Sequence, residues 1–305
     1  MLKYSLHKLL LAVLVAVTVS FVAFMLLRVS GDLASALGGE TAKGEDITRI
    51  RAQLGLDRPL IAQYWDWASH AAGGDFGKSF YFPEPVWTLL AQRLPVTLTL
   101  ACWGLAVSLV IGIPLGVLAA LRPNTLLDRV AMTLAVLGQA LPTFWLGLLL
   151  IIFFGLTLGW LPISGSDTWL HFVLPSFVLG YYSTPAVMRL TRSGMLEVLE
   201  ADYIRTAYAK GLPYRTVLFK HALRNAVIPV VALASVQFGH MLSGSVVIET
   251  VFAMQGIGQL AWQSISRQDF PVVQAVLLLV SMFYVWLAFA ADLINAWLDP
   301  RIRVG

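Results

Sequence analysis

The sequence predicts an all-α membrane protein with six transmembrane helices and an extracytoplasmic cap after the first of them. Three observations carry this reading. Only 12% of the 305 residues are charged and 58% are hydrophobic, with a mean hydropathy of +0.76, whereas a soluble domain carries about a quarter charged residues. The missing charge leaves long uncharged runs, which is how membrane spans read. The remaining charge collects between the runs, above all from Arg189 to Arg224, where seven basic residues face three acidic ones.

Leu9 to Leu27 is nineteen residues without a charge, enough to span roughly 29 Å as a helix. Lys3 and Lys8 precede it, and Ala34-Ser35-Ala36 resembles a leader cleavage site. The apolar run exceeds the roughly 7 to 15 residues of a secretory signal, so it reads as a retained first span. From Ser30 to Arg93 the chain is polar, with eight acidic and six basic residues. A short helix is expected within Ile47–Gln63, carrying Ile50 and Leu54 on one side and ending near Pro59. Gly73-Gly74 and the Pro83/Pro85 pair mark turns. Trp65, Trp67, Phe76, Phe80, Tyr81, Phe82 and Trp87 need an apolar surface to bury against, which favours a small folded cap over a linker.

The second span fits within Val96–Leu121, where Gly112 and Gly116 would admit a neighbouring helix closely. After a polar turn to Asp128, a third span runs from Val130 to about Leu158 with Gln139 and Pro142 inside it. The fourth, Leu170–Met188, is interrupted by Pro175, Gly180 and Pro185, which a membrane tolerates where protein or a water-filled cavity satisfies the freed backbone. Ala226–Ile248 is the fifth, Glu249–Asp269 a loop, and Pro271–Ala291 the sixth. Six spans place both termini on one side. That side, with the 121–128 turn and the Arg189–Arg224 interval, holds thirteen basic and six acidic residues against eight and eleven opposite, so it is read as cytoplasmic.

Chemical motifs are scarce. Gly73 to Ser79 imitates a phosphate-binding loop, but the pattern requires Gly where Ala72 stands, and no strand pattern precedes it. Cys102 is the single cysteine and sits in an apolar run, where an inert buried thiol is expected. The five histidines form no ligand cluster, so no metal site and no catalytic residue is assigned. His171 and His221 read as structural, hydrogen-bonded groups. His240 lies mid-span, and with Gln237, Ser243 and Ser245 it is a candidate for a polar translocation path, beside the alternative of interhelical packing. Gln139 in the third span is a further candidate.

Within the polar interval, Asp202 to Lys210 has helical spacing and Gly211 and Pro213 end it. A short helix outside the bilayer, showing aromatic and aliphatic groups among arginines, suits a peg for another protein or a helix lying on anionic lipid. The surrounding residues resemble the cytoplasmic loop of bacterial ABC importer permeases, in the first-permease type of dipeptide, oligopeptide, glutathione and nickel systems. The resemblance rests on Asp202-Tyr203-Ile204-Arg205-Thr206-Ala207, Ala209-Lys210-Gly211-Leu212 and His221-Ala222-Leu223-Arg224-Asn225-Ala226. Leu54-Gly55-Leu56-Asp57, Gly74-Asp75-Phe76-Gly77, Trp160-Leu161-Pro162 and Leu298-Asp299-Pro300-Arg301-Ile302-Arg303 extend it end to end. Gln255 and Tyr208 depart from the commoner Pro and Arg of that branch.

The resemblance implies a type I ABC importer permease fold in the bacterial inner membrane, divided as 1–29 (tail and first span), 30–93 (extracytoplasmic cap) and 94–305 (permease core), with a cytoplasmic coupling helix at about 200–212. It implies as partners a homologous second permease, two ABC ATPases that bind ATP and magnesium, a periplasmic or extracellular substrate-binding protein, and membrane lipid, with no nucleic acid and no cofactor in this chain. Asp202, Tyr203, Arg205, Thr206, Ala207, Lys210 and Gly211 would couple to the ATPases. Gln139, Gln237, His240 and Ser243 would line the path, and Asp57 and Asp75 would receive the binding protein. Dipeptides or oligopeptides are the expected cargo. Nickel or a nickel chelate is the alternative, and a non-transporting scaffold for a regulatory protein is the alternative of another class.

Overall fold

Helices account for nearly all the regular structure in the computed structural model, which describes residues 2–30, 34, 44–53 and 55–298. Gly31–Leu33, Leu54, the Ser35-Ala36 part of the leader-like site and the tail 299–305 with its Asp299–Arg303 motif lie outside the described residues. In chain order the principal helices are α1 (Leu2–Ser30), α2 (Gly44–Gln53), α3 (Leu60–Ala72), α4 (Val86–Leu121), α5 (Leu126–Ala140), α6 (Thr143–Leu150), α7 (Leu170–Leu199), α8 (Asp202–Ala209), α9 (Ile228–Val251), α10 (Ile257–Ser266) and α11 (Phe270–Leu298). Two stretches, Ile151–Thr157 and Val217–Leu223, wind as π-helix. The chain divides into two compact units, Met1–Pro95 with Gln255–Phe289 and Val96–Met254 with Ala290–Gly305.

In the first unit, Tyr64 of α3 packs edge-on against Phe21 and Phe24 of α1 at 5.1 and 5.6 Å, and its hydroxyl lies 2.9 Å from that of Ser20. The short helix expected within 47–63 is α2, which stops before Pro59, and a second helix follows the proline. α2 ends at Gln53 and α3 begins after Pro59, whose fixed φ suits a helix start and whose missing N–H costs nothing there. Val86, Leu89 and Leu90 of α4 form a core with Ile257 and Leu260 of α10 and Val272, Ala275 and Val276 of α11, and Phe76 and Phe82 pack onto it. The cap aromatics therefore divide, since Trp65, Tyr81 and Trp87 stay exposed. The loop expected over 249–269 contains α10. Its buried Ile257, Leu260 and Ser264 recur at helical spacing, a period the glycines at 256 and 258 obscure in the sequence.

In the second unit α7 is the central helix, packed against α5, α6 and α9. Its close neighbours explain its composition: Ser176, Ser183, Thr184 and Thr191 are buried in protein, and the hydroxyls of Thr184 and Thr191 donate to carbonyls one turn back. α4 approaches so closely at Gly116 that an added Cβ would lie 2.7 Å from the Met188 carbonyl oxygen of α7. The continuous third span expected over 130–158 is bent by 100° between α5 and α6. Leu141 and Pro142 are extended at ψ 132° and 130°, because a residue before proline is pushed out of the helical region and proline cannot donate back. Cys102, expected buried, is exposed on α4, as an apolar helix in a membrane can present thiols and aliphatics outward.

Three described helices, Val86–Leu121, Ile228–Val251 and the Phe270–Ala290 part of α11, are long and apolar enough to cross a membrane, or four spans if the bent pair counts as one. The architecture is all-α and multi-pass. Among the described residues the expected count of six is not reached on length and apolarity alone: α1 contributes Val13–Val29 to that count, and α7 carries the polar groups its burial permits.

Candidate functional site

The polar interval opens with the last turns of α7. Asp128, at the start of α5, accepts from Arg192 Nε at 2.9 Å and Nη2 at 2.7 Å, and from the Asn124 backbone N–H at 3.0 Å. The guanidinium, then the N–H, hold the Asp128 carboxyl below the usual carboxylate range against its partial desolvation, and the same contact raises Arg192. This pair fixes α5 to α7 beside the segment where α8 sits.

α8 is amphipathic at one turn's spacing. Ile204 and Ala207 are buried at 1% and 7% exposure in a core with Val117 and Ala120 of α4, Met195 of α7, and Val217, Leu218, Ala222 and Ala226. Asp202, Tyr203, Arg205, Thr206, Tyr208 and Lys210 face outward. Arg205 Nη1 donates to Asp202 Oδ1 at 3.3 Å, Thr206 Oγ1 donates to the Asp202 carbonyl at 2.9 Å, and Asn225 Nδ2 donates to Tyr203 Oη at 3.0 Å. Gly211 closes the helix at φ 73°, a left-handed conformation that glycine adopts without penalty. The Leu212 N–H then donates to the Ala207 carbonyl at 3.3 Å.

The peg is thus turned differently from the sequence expectation: its aliphatic Ile204 and Ala207 belong to this chain's own core, and aromatic Tyr203 and Tyr208, each over 40% exposed, make the outer surface with the charges. Asn225 is the contributor that spacing did not reveal. The π-winding of Val217–Leu223 throws the seat residues out of the 3.6-residue period a sequence reading uses.

At the break between α5 and α6, Gln139, Gln237, His240 and Ser243 line one cavity of about 780 Å³, together with Tyr182 and Ser183 of α7. Ser245 is buried instead and donates to the Leu242 carbonyl at 3.1 Å. His171 shares a hydrogen bond with the Thr168 hydroxyl at 2.9 Å. In the first unit Asp57 is exposed in the turn before α3, and Asp75 Oδ1 accepts the Gly77 N–H at 2.9 Å. The phosphate-loop imitation at 73–79 leads into no helix but into a turn closed by a Lys78–Pro85 bridge. Among the described residues no three His, Cys, Asp or Glu side chains gather as a metal-ligand set.

Residues 112–304 match the family described as binding-protein-dependent transport system inner membrane component, and residues 1–101 match the N-terminal region of such membrane components. The glutathione transport system permease protein GsiC of Salmonella choleraesuis strain SC-B67 is 41% identical over 304 residues, 99% of each chain. This chain belongs to that family. The permease is likewise 40% identical to GsiC of Escherichia coli K12 over 304 residues, again 99% of each chain. Its fold is shared with a chain of the inward-facing MetNI methionine ABC transporter at a TM-score of 0.59 and 22% identity, covering 72% of the permease and all of that chain. It is therefore a multi-pass inner-membrane permease subunit of the peptide/nickel branch of ABC importers, not an enzyme.

Proposed function

We propose that this permease forms half of the translocation path of an ATP-driven importer of short peptides, glutathione-like peptides included, and that α8 is the helix through which cytoplasmic ATPases move it. The observation that carries the coupling role is the division of α8: Ile204 and Ala207 anchor it in the permease's own core while Asp202, Tyr203, Arg205, Thr206 and Lys210 remain free to meet a partner. A force applied to the outer face passes through Ile204 to Val117, Met195 and Val217, which belong to α4, α7 and the π-wound segment. Closure of an ATPase pair would open the path outward, and release after hydrolysis would reset it. The peptide reading draws on the GsiC relatives and on the 780 Å³ cavity, whose lining pairs amides and hydroxyls with apolar side chains rather than fixed charge.

In this proposal α1 and α7 join the other spans to make six, both termini are cytoplasmic, and 30–93 is an extracytoplasmic region whose Asp57 and Asp75 receive the binding protein. A homologous second permease completes the path over the 94–305 core. Crosslinks from the binding protein only to the α8 side would remove the docking assignment. For the coupling role, Gly211→Val is the test. An added Cβ meets no atom within 4 Å, while a β-branched residue at φ 73° strains the backbone. Substrate-stimulated ATPase activity of the reconstituted complex should be lost while the subunit stays inserted; normal stimulation would count against the role of α8. Ligand identification on the purified cognate binding protein tests the cargo.

A further inference from the structure

Six described residues hold a buried side-chain nitrogen or oxygen without a hydrogen-bond partner: Arg28, Gln63, Ser108, Ser176, Ser264 and Gln274. Three of the six, Arg28, Gln63 and Gln274, line a single cavity of about 390 Å³ in the first unit. Buried polar atoms are nearly always bonded, and each one left open costs about 1–3 kcal/mol. Their gathering around one space, within the size range of small-molecule sites, marks that space as built for polar contents.

The polarity of the open atoms narrows what those contents are. Gln63, 7% exposed, donates through Nε2 to the Leu56 and Arg58 carbonyls at 3.0 and 2.8 Å. Both partners are acceptors only, so the amide cannot be turned, and its open Oε1 must accept. Arg28 lays its guanidinium over the Phe24 ring at 5.1 Å, leaving Nη1 as an open cationic donor. Arg58, the other guanidinium on the wall, is committed to Asp66 at 2.8 Å. Gln274, also 7% exposed, leaves Nε2 open. Two open donors, one of them charged, beside the fixed Gln63 acceptor and the Asp75 carboxylate on the same wall suit an oxyanion next to an amine or N–H donor, with Trp67 and Phe76 supplying apolar wall.

We propose that this cavity is a recognition site for a molecule that pairs an oxyanion with a neighbouring amine or amide N–H, the oxyanion meeting Arg28 and Gln274 and the N–H meeting Gln63. A free peptide terminus and a phosphoethanolamine headgroup share this chemistry. The site shares no lining residue with the cavity at the α5–α6 break and does not depend on the transport reading.

The test uses the purified full chain in phosphatidylcholine nanodiscs, titrated calorimetrically with L-alanyl-L-alanine and with its C-terminal amide, and native mass spectrometry of the chain after exposure to phosphatidylethanolamine. Dipeptide binding that falls at least tenfold on amidation, and at least tenfold in both Arg28→Gln and Gln274→Glu, supports the site with a free solute as its source. Gln274→Glu preserves shape and places a negative charge against the oxyanion, so it serves where Arg28→Gln disturbs folding. Retained phosphatidylethanolamine that both variants shed supports the site with lipid as its source. Binding of neither probe, or binding indifferent to both variants, overturns the proposal.

Discussion

Two short segments outside the long helices are held in opposite ways. α8 is seated by apolar burial, with Ile204 and Ala207 in a core of aliphatic neighbours and every charge turned outward. The cap segment before α4 is held by directional bonds to a buried carboxylate: the Ser79 hydroxyl donates to Asp269 Oδ2, the Phe80 N–H donates to Asp269 Oδ1 at 3.2 Å, and the Ser79 oxygen in turn accepts the Tyr81 and Phe82 N–H groups at 3.1 and 2.8 Å. Arg267 adds its guanidinium over the Tyr81 and Phe82 rings at 5.6 and 5.9 Å. Apolar contact is non-directional, so a seated helix can transmit a push while small rotations cost little. Hydrogen bonds to a carboxylate fix position and fail abruptly. The first suits a part that moves with a partner, the second a surface that must keep its shape.

The largest effect should come from the directional side. Asp269→Leu removes two bonds to a charged group and leaves Ser79 and the Phe80 N–H without their acceptor, a cost of about 3 to 5 kcal/mol. Hydrogen exchange should show the amides of Phe80, Tyr81 and Phe82 losing protection together. Protection retained at all three would break the contrast, because it would mean that burial of Phe82 suffices.

Ile204→Ala sharpens the other side. Truncating a side chain with 1% exposure should cost about 2 to 4 kcal/mol. The loss falls on the seat of α8 and not on its outer face, so ATPase subunits should still associate while stimulation of hydrolysis by substrate declines. Unchanged stimulation would show that α8 does not transmit through its core.

An intermediate effect is expected at Asp128–Arg192, the ion pair that ties α5 to α7. Asp128→Asn should cost about 1.5 to 3 kcal/mol. The pH dependence follows from the lowered carboxyl. A depressed native pKa contributes stability that is complete above the unfolded value of about 3.9 and is lost as pH falls through the folded value. Stability of the wild type should therefore decline below about pH 4 with a component that Asp128→Asn lacks. Parallel acid profiles for the two proteins would contradict this.

How much of the contrast was legible in the sequence follows from its physics. The α8 helix and its stop at Gly211 read off the chain, but its seat did not: Ile204 and Ala207, one turn apart, were expected on the exposed peg and lie in this chain's own core. The four path candidates, Gln139, Gln237, His240 and Ser243, were visible as polar residues in apolar runs, and they border one cavity. What was illegible is pairing at a distance. Ser79 and Asp269 lie 190 positions apart and Asp128 and Arg192 lie 64 apart, and no periodicity links them. The 100° bend at Leu141–Pro142 was signalled only by a proline placed inside one continuous span, because proline breaks a helix without setting the angle.

The smallest effect on stability discriminates best between a seat and an outer face. Arg205 and Asp202 form an ion pair with side chains 74% and 96% exposed, and a pair so open to water contributes about 0 to 0.5 kcal/mol. Arg205→Ala should leave the melting temperature of the isolated subunit unchanged. If the outer face of α8 meets an ATPase, the same substitution removes a cation that would be desolvated there, and the affinity of the ATPase for the permease should drop several-fold with a weaker dependence on salt. An unchanged affinity at every ionic strength would mean that Arg205 faces solvent in the assembled transporter as it does here, and the contact surface would then have to be carried by Tyr203, Tyr208 and Lys210.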